Sequence, residues 1–105
     1  MSQCETRIEG DTATVILGGE VDLSWSSQVR KEVLAALSRA PKVAIDLSKV
    51  TYIDSSGIAA LVEGFQNARG KGQDFELVEV SPAVLAVLKL ARLDRVFTIR
   101  DGGVD

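Results

Sequence analysis

The sequence predicts a single α/β domain: a mixed, mostly parallel sheet with an antiparallel hairpin at its N-terminal end and helices in the crossovers. Three observations carry this. Short apolar runs that suit strands alternate with longer segments whose apolar residues recur at helical spacing. The first two strand-like runs are separated only by the turn signal Gly10-Asp11. The helix-like segments begin at serine or aspartate, and the first two stop near a proline and a glycine. Strands joined through helices become parallel neighbours by right-handed crossovers.

Taken in order, Met1 to Gln3 stay loose, Cys4 to Glu9 forms the first strand and Thr12 to Gly18 the second, paired as a hairpin. Gly18-Gly19 ends the second strand in a bend. After Glu20-Val21-Asp22, a serine within Leu23-Ser24-Trp25-Ser26 caps a helix running to about Arg39, whose inner face is Val29, Val33, Ala36, Leu37 and Ala40. Pro41 stops it. Lys42 to Leu47 reads as a buried strand, Ser48-Lys49 as a turn, and Val50, Tyr52 and Ile53 as a return to the core. A helix over 55–69 turns Ile58, Leu61, Val62 and Phe65 inward and Glu63, Gln66 and Asn67 outward, with Gly70 in the left-handed position beyond it. Phe75 to Val80 is the next strand. Ser81 caps a third helix and Pro82 opens it, with Val84, Val87, Leu88 and Ala91 as its stripe. Leu93-Asp94 turns into a last strand, Val96 to Ile99, and Asp101 to Asp105 fray. The ordered core of the 1–105 domain is expected over about 8–99.

Composition excludes several function classes. The chain has 105 residues and no histidine, which removes Ser-His-Asp and Cys-His catalysis and any histidine metal site. The single cysteine, Cys4, allows neither an internal disulfide nor a zinc set. Gly70-Lys71-Gly72 lacks the spacing of a phosphate-binding P-loop. Asp46 ends a strand as a receiver phosphoacceptor would, but Gly18-Gly19-Glu20 does not supply the acidic pair such a site needs. No cofactor, metal or catalysis is therefore expected. The net charge is −3 and no basic block occurs, which argues against nucleic acid as a partner. No leader and no long apolar run is visible, so a cytosolic chain without direct membrane insertion is expected.

One stretch carries the functional expectation. Asp54-Ser55-Ser56-Gly57 lies where the chain leaves the core and enters a helix. Asp54 is suited to the cap, and Ser55 falls at the first helical residue, where free backbone N–H groups and the helix dipole favour negative charge. A phosphate on Ser55 is tolerated there. Gly57 leaves the helix start bare, open to close approach by another surface. Taken alone, these four residues are a weak motif, and a capped helix start and nothing more is the plainer reading of them.

Ile45-Asp46-Leu47-Ser48 together with Ile53-Asp54-Ser55-Ser56-Gly57-Ile58 resembles the central signature of STAS domains (sulfate transporter and anti-sigma factor antagonist). Gly19-Glu20-Val21-Asp22, Phe75-Glu76-Leu77-Val78 and Ser81-Pro82-Ala83-Val84 are similar to further stretches of that family, so the resemblance covers about Ile8 to Ile99. It implies a bacterial anti-sigma factor antagonist, a partner-switching regulator of transcription. Its serine after the aspartate, here Ser55, is phosphorylated by a partner that is both serine kinase and anti-sigma factor. It also implies a partner-binding edge of Asp22, Asp54, Ser55, Ser56 and Gly57, in which Asp54 orients the serine or sits near the kinase's ATP-bound metal. Trp25 is read either as packing or as an aromatic contact beside that edge. A second role in the same family is the cytosolic subunit of a phospholipid-trafficking ABC transporter, with a permease and an ATPase as partners. The short stretch after Ile99, too short for the closing helix that antagonists usually carry, favours that alternative.

Overall fold

The computed structural model describes residues 3–100. In chain order its elements are β1 (Gln3–Glu9), β2 (Thr12–Val21), α1 (Leu23–Arg39), β3 (Lys42–Ile53), α2 (Ser55–Gly70), β4 (Asp74–Val78), α3 (Pro82–Leu90), a single 3-10 turn (Leu93–Arg95) and β5 (Thr98–Arg100). The strands form one sheet in the order β1-β2-β3-β4-β5, antiparallel between β1 and β2 and parallel elsewhere. This is the mixed sheet with an N-terminal hairpin that the sequence predicts.

Every crossover steps one strand further in the same direction, so right-handed connections place the helices on one face. Burial follows that rule. Ala13, Val15 and Leu17 of β2, Val43, Ile45 and Leu47 of β3, and Phe75 and Leu77 of β4 are buried beneath the helices. Thr14, Asp46 and Glu76, which alternate with them, stay partly exposed on the opposite face. From the helices, Val29, Val33, Ala36 and Leu37 of α1, Ile58 and Leu61 of α2, and Val84 and Leu88 of α3 close the core. Each large aliphatic side chain so buried contributes roughly 1.5–3 kcal/mol. Phe65, Phe75 and Phe97 pack together at centroid distances of 5.5 to 6.4 Å. The Gln73 amide N–H₂ donates to Leu37 O and Ala40 O, at 2.7 and 2.8 Å, and ties the loop before β4 to the end of α1.

The pairing of β2 with β3 departs from the sequence reading. Ile16 pairs with Asp46 but Gly18 with Lys49; Gly19 pairs with Val50 but Glu20 with Tyr52. At each step β3 carries one residue more than β2, which is a bulge. One extra residue reverses the in-and-out alternation of a strand. The two bulges therefore keep Val50 and Ile53 buried and turn Lys49 and Tyr52 to the open face. For this reason Gly18-Gly19 does not end a strand, Ser48-Lys49 is not a turn, and Tyr52 is 51 % exposed instead of in the core.

Smaller corrections have local causes. Gln3 opens β1. α1 is capped by Asp22, not by a serine. Gly70 is the last residue of α2, and Gly72, at φ 69, takes the left-handed turn position. β4 ends at Val78, because Glu79 (φ 53) is left-handed. The 3-10 turn delays the last strand to Thr98, leaving Val96 outside it. Ser81 does cap α3 with Pro82 in its first turn, and its hydroxyl also donates to Val50 O at 2.7 Å. Ala91 lies exposed beyond the α3 stripe. The expectations for Met1, Ser2 and 101–105 lie outside the described residues.

Cys4 is half-buried against α1, and burial, followed by the Glu32 carboxylate, pushes its thiol up to about 12. It is an inert packing residue at neutral pH.

Candidate functional site

The site is built by two helix starts that emerge side by side. β2 and β3 are parallel neighbours that end level, Val21 opposite Ile53, and each is followed at once by a helix. Asp22 caps α1: its carboxylate accepts from Ser24 N at 3.0 Å and from Ser24 Oγ at 2.6 Å. Asp54 caps α2: its carboxylate accepts from Ser56 N at 3.0 Å, Ser56 Oγ at 2.6 Å and Gly57 N at 3.1 Å. The two starts are locked together. Asp54 N donates to Val21 O at 3.2 Å, and the Leu23 backbone N–H lies close enough to the Asp54 carboxylate to stabilise its charge. Two positive helix ends thus share one edge of the sheet, a setting that favours added negative charge.

The Ser56 hydroxyl, then the Gly57 N–H, hold the Asp54 carboxyl below its usual 3.8, against the opposing effect of burial; the Ser56 and Leu23 backbone N–H groups add to the lowering. A carboxyl lowered by folding contributes stability that is present above its unfolded value and lost as pH falls through the folded one. Asp54→Asn keeps a cap oxygen and removes the charge, so it should be less stable than the parent at pH 7, and the gap between the two should close as pH falls below 3.8. Thermal melts across that range check this. A constant gap between the two proteins at all pH values would contradict it.

The two serines differ. Ser56 spends its hydroxyl proton on Asp54, so the group that Asp54 orients is Ser56 and not Ser55. Ser55 is exposed at the first position of α2, and its hydroxyl makes no hydrogen bond among the described residues. Gly57 requires a correction. It is buried, and the surface that approaches it closely is the chain's own: a Cβ built there would lie 2.7 Å from Val21 O and 2.8 Å from Val21 Cγ1 and Ile53 Cγ1. Its lack of a side chain serves the packing of α2 onto the end of β2, not access by a partner.

Two residues of this edge escaped the sequence reading. Leu23, immediately after the α1 cap, is 75 % exposed, and Tyr52 is exposed two residues before Asp54. Leu23 lies off the apolar stripe of α1, a signal that was available in the sequence; Tyr52 was hidden by the bulges. Trp25 is half-buried and lines a hollow of about 450 Å³ with Cys4, Ile16 and Lys49. Glu20 is exposed beside Tyr52 in the sheet register. No helix among the described residues is long and apolar enough to cross a membrane.

The family model described as "Mlab, STAS domain" matches residues 4–100. The chain is 27 % identical over 93 residues to the anti-sigma F factor antagonist of Paenibacillus polymyxa, covering 87 % of this chain and 80 % of that protein. An anti-sigma-factor antagonist (STAS) domain protein from Planctomyces limnophilus has a similar structure, with a TM-score of 0.83, 28 % identity and coverage of 93 % of this chain and 89 % of that one. The anti-sigma factor antagonist SpoIIAA in its unphosphorylated form matches in fold, with a TM-score of 0.78 at 20 % identity over 96 % of this chain and 87 % of that one. The phosphorylated form of SpoIIAA from Bacillus matches with a TM-score of 0.74 at 19 % identity, over 96 % of this chain and 90 % of that one.

Proposed function

The chain belongs to the STAS domain family, and from that premise we propose that it is an anti-sigma factor antagonist whose binding is switched by phosphorylation of Ser55. The observation that carries the reading is the free, exposed Ser55 hydroxyl at a start shared by two helices, beside a serine that is already committed to Asp54. Relatives of the same kind are named anti-sigma factor antagonists, and one of them is known in both phosphorylation states.

In this reading the protein binds and does not catalyse. Unmodified, the edge of Asp22, Leu23, Tyr52, Asp54 and Ser55 docks on a serine kinase that is itself the anti-sigma factor, and the sigma factor is released. That kinase supplies the ATP and its metal; the antagonist supplies a hydroxyl held outward by the first turn of α2. Phosphate adds about −1.5 to −2 charges beside Asp54 and Asp22. The paired helix starts absorb that charge within the fold. A partner fitted to a hydroxyl must desolvate it, and the complex weakens.

Incubation with the cognate kinase and ATP, followed by intact-mass analysis and peptide mapping, tests the assignment. One phosphate on Ser55, absent from Ser55→Ala, is expected. Full modification of Ser55→Ala, or phosphate on Ser56 or Ser81, would overturn it. Capture of the partner separates the two roles in the family: a soluble kinase that also holds a sigma factor supports the switch, whereas a permease with its ATPase supports the transporter subunit.

A further inference from the structure

α3 is apolar on every side. Lys89 is the one polar residue in its sequence PAVLAVLKL. Val84 and Leu88 are buried, and Leu85 and Val87 are half-buried. Pro82, Ala83, Ala86 and Leu90 face outward, and Leu90 is 87 % exposed. A helix apolar all round is ordinarily covered all round. The outer side of this one is uncovered among the described residues.

The charge around its C-terminal end is equally uneven. Lys89, Arg92 and Arg95 are exposed there, and none of them forms an ion pair among the described residues. Asp94 is the one acidic residue between Pro82 and Arg100, in a chain whose net charge is −3. Arg92 has φ 61, left-handed backbone just beyond a helix end, where glycine is the ordinary choice. An arginine occupies a position that disfavours it.

We propose that the outer face of α3 is a second docking surface, and that its occupant is an acidic amphipathic helix of a protein partner. Ala83 and Ala86 let a helix backbone come close. Leu90 and Val96, the latter 45 % exposed, anchor its apolar side, and its carboxylates meet Lys89, Arg92 and Arg95. The charge selects this occupant. A second copy offers no acidic cluster on the same face, and three cations fall short of the polybasic clusters that hold a protein on an anionic bilayer. α3 packs against β3, its cap Ser81 bonded to Val50 O, but Lys89, Leu90, Arg92 and Arg95 gather at its opposite, C-terminal end and none of them belongs to the Ser55 edge, so this inference does not rest on the phosphoswitch.

The test titrates the full chain against a fluorescent helical peptide of about 18 residues with leucines on one face and flanking glutamates, and against its lysine counterpart. The glutamate peptide should bind at least about tenfold more tightly than the lysine peptide. Ala86→Arg and Arg92→Gly should each weaken it at least about fivefold, while Ser55→Asp binds as the parent does. Arg92→Gly relieves the left-handed backbone, so loss of fold does not explain its loss of binding. Equal binding of both peptides, no binding of either, or full binding by Arg92→Gly would overturn the proposal. So would a dimer of the chain alone that Ala86→Arg dissolves, or capture by phosphatidylglycerol vesicles without capture of the peptide.

Discussion

Gly57→Ala should cost about 3 kcal/mol of stability, and Gly57→Leu should leave the chain largely unfolded at room temperature. An alanine in an exposed helix position would ordinarily gain about 0.5–1 kcal/mol over glycine. Here the added Cβ meets Val21 O at 2.7 Å, and Ile53 Cγ1 and Val21 Cγ1 at 2.8 Å. The carbonyl cannot turn away, because it accepts from Asp54 N at 3.2 Å and that bond locks the two helix starts. Relief requires α2 to lift off the end of β2, which also disturbs the Asp54 cap. Urea unfolding of the alanine variant decides the matter. A midpoint equal to that of the parent would mean that the contact at Val21 is not rigid. Binding measurements on Gly57 variants report folding first.

Leu23→Ala with Tyr52→Ala should weaken the partner complex by about 2–4 kcal/mol while leaving the melting temperature nearly unchanged. Both side chains are largely in solvent, 75 % and 51 % exposed, so their removal opens no cavity. They flank a serine whose own contribution before phosphorylation is one hydroxyl. Affinity needs apolar area, and Leu23 and Tyr52 are exposed large side chains that stand beside the two caps in sequence. Calorimetric titration of the partner with the double variant, beside thermal melts, checks this. Wild-type affinity would place the contact on another face.

The helices were legible because their starts and their inner faces are written in the sequence. Ser81-Pro82 opens α3, Asp54 caps α2, and the inner-face spacing of α1 holds from Val29 to Leu37. The direction of the strands followed from the helices between them. The sheet beyond Leu47 was not legible, because two bulges shift β3 against β2, and a bulge is a property of the pair of strands, not of either one. Tyr52 was misplaced for that reason. Gly57 was misread because the same letter suits an open surface and a tight contact; the neighbouring carbonyl of Val21 distinguishes them. The choice of Ser55 over Ser56 came from the family resemblance, and the hydrogen bond from Ser56 to Asp54 gives it a physical reason.

The central claim is that charge at Ser55 acts on the complex and not on the fold. Ser55→Asp places a carboxylate at a helix start, worth roughly 0.3–1 kcal/mol in favour of the charge, so its melting temperature should match or slightly exceed that of the parent. Against the partner, the same carboxylate must be desolvated beside Asp54 and Asp22. Calorimetric titration of the captured partner with the parent and with Ser55→Asp tests this most directly. The account predicts at least about a tenfold loss of affinity, or about 1.4 kcal/mol, in a variant that melts as the parent does. Equal affinity of the two proteins for that partner would contradict it.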